Sequence, residues 1–186
     1  MSQRTIVLLA IVVPVAALFA LFAVRLVQTG SKPAGIGINS VFGEAAVQPR
    51  QAPSLTTPLL SGGTASLADM KGKVVMVDFW SSWCPPCREE APTLARLYPK
   101  YKDRGVEFLG VAIWDSEDEV KKFITANGLT YPSGLDSNGK TAIEFGVRGI
   151  PEKYFIDRRG NVVRKFIGPV NDEQLAKVLD ELLASP

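Results

Sequence analysis

Apolar and polar positions divide the chain into three stretches. Ile6 to Val24 is nineteen residues without a charge, rich in Val, Leu, Ala and Phe, with Pro14 as its only helix-disturbing member. In a helix such a run rises to about the thickness of a bilayer core. It is longer than the usual apolar region of a cleaved signal peptide, and neither Leu21-Phe22-Ala23 nor Val27-Gln28-Thr29 offers a clean small-x-small site. Residues 1–29 are therefore expected to form an uncleaved single-pass membrane anchor, with a cleaved signal as the competing reading. Arg4 lies on one side of the run and Arg25 and Lys32 on the other, which leaves its orientation undecided by charge. Residues 30–51 mix Gly, Ser, Pro, Ala and Gln without sustained periodicity, as in Gly35-Ile36-Gly37-Ile38-Asn39-Ser40, and read as a flexible tether.

From Ala52 onward short apolar runs alternate with helix-period segments, the mark of an α/β domain over 52–186 with a mixed sheet covered by helices. Val74 to Trp80 and Val106 to Trp114 are nearly continuous apolar runs, as expected of central strands buried on both faces. Between them Leu94, Leu97, Tyr98 and Tyr101 mark one helix face, and Gly105 supplies a stop. This βαβ unit should cross over right-handed and leave its strands parallel. A second helix is expected to open on a Ser116/Glu119 capping box, to bury Val120, Phe123 and Ile124, and to end at Gly128. Tyr154 to Asp157 and Val162 to Ile167 flank the turn-rich Arg158-Arg159-Gly160-Asn161 and read as a hairpin. A last helix is capped by Asn171, with Leu175, Val178, Leu179, Leu182 and Leu183 as its buried face.

Charge changes little in this picture. The net +2 comes without a basic run interleaved with aromatics, so nucleic-acid binding drops out. Asp136-Ser137-Asn138-Gly139-Lys140 starts like a calcium loop, but its Gly falls two positions early and no Glu closes it; it is a turn.

The candidate chemistry sits in Trp83-Cys84-Pro85-Pro86-Cys87, which holds both cysteines of a chain without histidine. A structural zinc site needs four protein ligands, and the pair supplies two. Haem attachment needs a His directly after the second Cys, where Arg88 stands. A staple closing so short a loop would remove little unfolded-chain entropy. Two thiolates also suit Cu(I), so a copper-delivery role stays open beside thiol–disulfide exchange. The preceding Val77-Asp78-Phe79-Trp80 reads as a strand end, which places Cys84 at a strand-to-helix junction where outward backbone N–H groups favour a thiolate.

These residues resemble the thioredoxin fold, and more narrowly the membrane-anchored TlpA/ResA/CcmG (DsbE) branch of thiol–disulfide oxidoreductases. The resemblance rests on Ala52-Pro53, Leu67-Ala68-Asp69 before Lys71-Gly72-Lys73, Asp78 through Arg88, Glu90, Pro92, Gly149-Ile150-Pro151-Glu152 and Phe155-Ile156-Asp157. It implies a domain on the outer side of the bacterial cytoplasmic membrane and a cis Ile150–Pro151 bond facing the cysteines. It further implies recharging by a membrane thiol reductant of the CcdA/DsbD type. The implied client is a protein disulfide, such as the oxidised Cys-x-x-Cys-His of apocytochrome c. No cofactor is expected.

Within this frame Cys84, at an exposed helix start, is the expected attacking thiolate, and Cys87, one turn deeper, resolves the mixed disulfide. Asp78, inside a strand run, should be buried with a raised pKa and take the proton of Cys87 through water. The thioredoxin pattern sets a Lys opposite that Asp, yet Val106 to Trp114 contains none. Pro151 shapes the site, and Trp83, Pro85, Pro86, Ile150 and Glu152 are expected to contact the client, Glu152 being a second candidate base. Pro85 and Pro86 bring no cation or donor to stabilise a thiolate, which favours a reductase over an oxidant.

Overall fold

The computed structural model describes residues 3, 12–21, 24, 37–39 and 41–185. They belong to two compact units, Met1–Gly35 and Ile36–Pro186. In the first, residues 12–21 are helical and expose Val12, Val13, Val15, Leu18, Phe19 and Leu21. No helix among the described residues is long and apolar enough to cross a membrane. The remainder of the expected anchor apart from residues 3 and 24, and residues 30–36 and 40 of the stretch that follows, lie outside the described residues.

The second unit begins earlier than its apolar pattern suggests. The span read as a tether contributes three short strands: β1 (Gly37–Ile38), β2 (Gly43–Ala45) and β3 (Arg50–Gln51). Strands of two or three residues are too short to show a period, which is why this stretch reads as irregular. A hairpin of β4 (Thr56–Pro58) and β5 (Thr64–Ser66) and a 3₁₀ turn (Leu67–Met70) lead into β6 (Val74–Trp80). Then come α1 (Pro85–Lys102), β7 (Val106–Ile113), α2 (Glu117–Asn127), β8 (Ser133–Asp136) and α3 (Lys140–Phe145). The chain ends with β9 (Gly149–Ile150), β10 (Glu152–Ile156), β11 (Asn161–Ile167) and α4 (Asp172–Ala184).

Seven strands form one mixed sheet in the order β2-β11-β10-β6-β7-β8, with β3 also on β11. β6, β7 and β8 are parallel, as the βαβ reading requires, and β10 runs antiparallel to both β6 and β11. All seven residues of β6 and all eight of β7 are buried, which fits strands covered on both faces. Successive side chains of β6 point to opposite faces. Phe79 meets Phe145 of α3 and Tyr154 at centroid distances of 5.3 and 5.7 Å, while Trp80 meets Phe123 of α2 at 5.0 Å. The helices α1, α2 and α4 thus share the Trp80 face, and α3 covers the other.

Helix ends follow local chemistry, with one departure. Asn171 and Gln174 make a full capping box at α4. At α2 only half of the expected box forms: Ser116 accepts from the Glu119 N–H, whereas the Glu119 carboxylate pairs with Lys122. β7 also stops one residue short, because Trp114 turns to φ +51°.

Candidate active site

The site is built where β6 ends. Ser81 to Trp83 leave the sheet, and Cys84 caps α1 in an extended conformation (φ −78°, ψ 114°), its sulfur 3.4 Å from the Cys87 N–H that donates to it. Pro85 and Pro86 occupy the first helical positions, where a missing N–H leaves nothing unpaired. Cys84 and Cys87 form a disulfide with a Cα–Cα separation of 5.3 Å. Neither sulfur residue is open in this oxidised form: Cys84 is 0 % and Cys87 3 % exposed. That corrects the expected exposed thiol: the helix head itself is open at Trp83 and Pro85, but the Cys84 side chain is packed inward.

The loop after β7 holds this junction in place. The Trp83 indole N–H donates to Trp114 O at 2.9 Å, the Ser82 N–H to Asp115 Oδ2 at 2.6 Å, and the Ser81 hydroxyl to Ile113 O. Arg88 donates to Ser82 O at 3.0 Å and lies over the Phe123 ring. Trp83 and Trp114 remain 45 % and 37 % exposed, the first directly before Cys84 and the second held to Trp83 through its carbonyl. Trp114 had no sequence signal beyond lying at the end of a strand run.

Ile150–Pro151 is cis. β10 pairs with β6 through Glu152↔Phe79, so one further step of the register sets Pro151 opposite Trp80, at the strand end from which the cysteine loop departs. Glu152 is 1 % exposed and is neither a solvated loop carboxylate nor aimed at Asp78. It sits on the α3 face, where its carboxylate pairs with Lys165 (2.7 Å) and accepts from the Tyr154 hydroxyl (3.0 Å) and the Arg148 N–H (3.3 Å). By holding Arg148 it clamps the loop 148–152 from behind.

The opposite face of β10 carries the main surprise. Lys153 is the register partner of Asp78, and its ammonium stands 3.1 Å from Asp78 Oδ1 and 2.6 Å from Glu90 Oε1, all three side chains being essentially sealed from solvent. Glu90 Oε2 accepts from the Val170 N–H at 2.9 Å. The Lys that Val106 to Trp114 lacks is thus supplied by β10. Glu90 follows Cys87 by three residues, so it lies on the same helix face, which was the available signal for it. Among the described residues no donor is directed at either Asp78 oxygen, the Lys153 contact being close but poorly aimed.

Two carboxylates around one ammonium cannot all stay charged cheaply in a dry interior. Burial raises the Asp78 pKa against the pull of Lys153. Burial likewise pushes Glu90 up to about 8, with Asp78 adding to the rise and Lys153 opposing it. Burial disfavours the Lys153 ammonium, but the two carboxylates outweigh it and the net shift is upward. Burial thus favours a protonated Glu90 near neutrality, beside an Asp78 whose own pKa is also raised.

This proton links the site to stability. A Glu that keeps its proton to about pH 8 when folded, against an ordinary value of 4.5, makes the folded state bind more protons between those limits. Its stabilising contribution is complete below the unfolded value and is lost as pH rises through the folded one. Denaturant unfolding of the wild type is expected to show stability declining from about pH 5 to about pH 8, and Glu90→Gln to flatten that slope. Parallel slopes in the two proteins would remove Glu90 as the proton holder.

Comparison with known proteins agrees with this geometry. The AhpC/TSA family matches residues 49–165. Thiol-disulfide oxidoreductase ResA of Bacillus thuringiensis (strain Al Hakam) is 37 % identical over 133 residues, 72 % of this chain and 77 % of the relative. Thiol:disulfide interchange protein HelX of Rhodobacter capsulatus is 35 % identical over 138 residues, 73 % and 76 % of the two chains. Among solved structures, a thioredoxin-family thiol:disulfide interchange protein from Chlorobium tepidum TLS superposes with a TM-score of 0.69 at 29 % identity, covering 75 % of this chain and all of that one. A secreted thiol-disulfide isomerase from Corynebacterium glutamicum gives 0.69 at 26 % identity, covering 81 % and 98 %. The buried disulfide at the head of α1, the strand-end proline and these relatives together place the chain in the AhpC/TSA family, as a thioredoxin-like thiol-disulfide oxidoreductase whose redox pair is Cys84 and Cys87.

Proposed function

We propose that this oxidoreductase works as a reductase of client protein disulfides outside the cytoplasm, held to the membrane by residues 1–29. Its clients on this reading are disulfides such as the Cys-x-x-Cys-His segments of apocytochrome c, and a membrane thiol reductant of the CcdA/DsbD type restores its thiols. The nineteen-residue apolar run supports the anchor, and the secreted nature of the Corynebacterium glutamicum neighbour supports the location. The absence of any cation or donor on Pro85 and Pro86 supports the reducing direction.

The observation that carries the mechanism is the proton-holding cluster on the face of α1 that also bears Cys87. The reduced protein attacks a client disulfide through the Cys84 thiolate, forming a mixed disulfide and expelling one client thiolate, which takes a proton from water. Cys87 then gives its proton to the Asp78/Glu90 pair, directly or through water, and attacks the Cys84 sulfur. The second client sulfur leaves as a thiolate. Two enzyme thiols have become the Cys84–Cys87 disulfide, and one client disulfide has become two thiols. Asp78, with no donor aimed at its oxygens, is the member of the pair with a free lone pair to receive that proton.

Cys87→Ser removes the resolving sulfur, so the expected result in cells is a covalent Cys84–client adduct that dithiothreitol releases and that contains c-type cytochrome precursors. Adducts confined to other clients would overturn the cytochrome assignment while leaving the exchange chemistry intact. Asp78→Asn is expected to slow breakdown of the mixed disulfide by on the order of 10- to 100-fold and to spare its formation. A breakdown rate unchanged between about pH 6 and 9 would take Asp78 out of the mechanism.

A further inference from the structure

β9 is a two-residue strand immediately before Pro151, and among the described residues its strand partner is the chain's own β1. The pairing is parallel, with Gly37 beside Gly149 and Ile38 beside Ile150. Past the pairing, the Asn39 N–H donates to Ile150 O at 2.9 Å, and the Asn39 carboxamide donates to Pro151 O at 3.0 Å. The carbonyls on either side of the cis bond are therefore both engaged by one residue from upstream. Gly149 fits this arrangement: a Cβ there would stand 2.6 Å from Gly37 O and would run into the Asn39 side chain. Phe42 then lies against Gly168, whose own N–H also donates to Pro151 O at 2.8 Å, and β2 continues onto β11.

An extended peptide that brings a disulfide to Cys84 meets the protein at this edge, because the register puts Pro151 opposite Trp80 and so beside the loop that carries the cysteines. Strand addition of that kind draws its affinity from backbone N–H and C=O groups, the groups that β1 and Asn39 now satisfy. We propose that residues 37–39 are a self-docked strap that holds the client's backbone position, so that a protein client reaches Cys84 by displacing it. This rests on the reading of protein disulfides as clients. The strap suits displacement: it is a two-residue parallel pair with Ile38 47 % exposed, and it is fastened mainly by the polar contacts of Asn39. In the resting oxidised protein it also covers what would otherwise be a bare strand edge, a surface that invites unwanted pairing.

Asn39→Pro in the full-length protein removes both the N–H and the carboxamide while keeping Ile38 extended. Two substrates separate the effects: a short peptide holding a Cys-x-x-Cys disulfide, and dithiobis(nitrobenzoate), which is too small to need a strand partner. With two hydrogen bonds lost to the strap, kcat/KM for the peptide is expected to rise roughly threefold to tenfold, mostly through KM, and that for the small disulfide to change by less than about twofold. Asn39→Ala keeps the N–H and serves where the proline variant folds poorly; it is expected to shift the peptide value in the same direction by roughly twofold. Peptide kcat/KM that stays level or falls in both variants overturns the strap. A wild type and variants that all reduce the small disulfide yet ignore the peptide would instead overturn the client reading beneath it.

Discussion

Lys153 stands between two carboxylates in a region from which water is excluded, and the rest of the site is arranged around the charge imbalance that results. One ammonium can neutralise one carboxylate; the second must either keep a proton or remain an uncompensated charge in a low-dielectric interior. The outcome is a carboxyl pair that carries an exchangeable proton near neutrality, on the face of α1 that also presents Cys87. Thiol–disulfide exchange needs a group that takes a proton when a buried thiol must become a nucleophile, and gives it back in the next cycle. A lone exposed carboxylate, ionised at every physiological pH, stores nothing.

The fold delivers three groups from three elements to this one place. Antiparallel pairing of β10 with β6 sets Lys153 beside Asp78, and the helical repeat of α1 puts Glu90 one turn beyond Cys87. Alternation along β10 sends Glu152 to the other face, where Lys165, Tyr154 and Arg148 absorb its charge and fix the loop that carries Pro151. Adjacent residues thus do separate work, Lys153 between Asp78 and Glu90 and Glu152 behind the proline. The β7–α2 loop adds a third constraint by anchoring Ser81, Ser82 and Trp83 through Ile113, Trp114 and Asp115.

Much of this architecture was legible in the residue pattern because it is local. Continuous apolar runs marked β6 and β7, the i, i+3, i+4 spacing marked α1, and Asn171 marked the start of α4. What escaped is non-local. The partner of Asp78 was sought on the parallel neighbour β7, whereas a register set by the antiparallel β10 brings Lys153 from seventy-five positions downstream. β1, β2 and β3 are too short to print a period, so a stretch built into the sheet looked like a tether. The burial of Cys84 between the exposed Trp83 and Pro85 depends on tertiary packing, which its own neighbours in sequence do not reveal.

The central claim, a proton held by Asp78 and Glu90 on the helix face that also bears Cys87, is tested most directly by infrared spectroscopy of the oxidised protein near neutral pH. The account predicts a protonated-carboxyl C=O stretch that shifts in heavy water and disappears in the Asp78→Asn/Glu90→Gln double variant. A spectrum in which every carboxyl is ionised at that pH, identical in this region for wild type and variant, would contradict it.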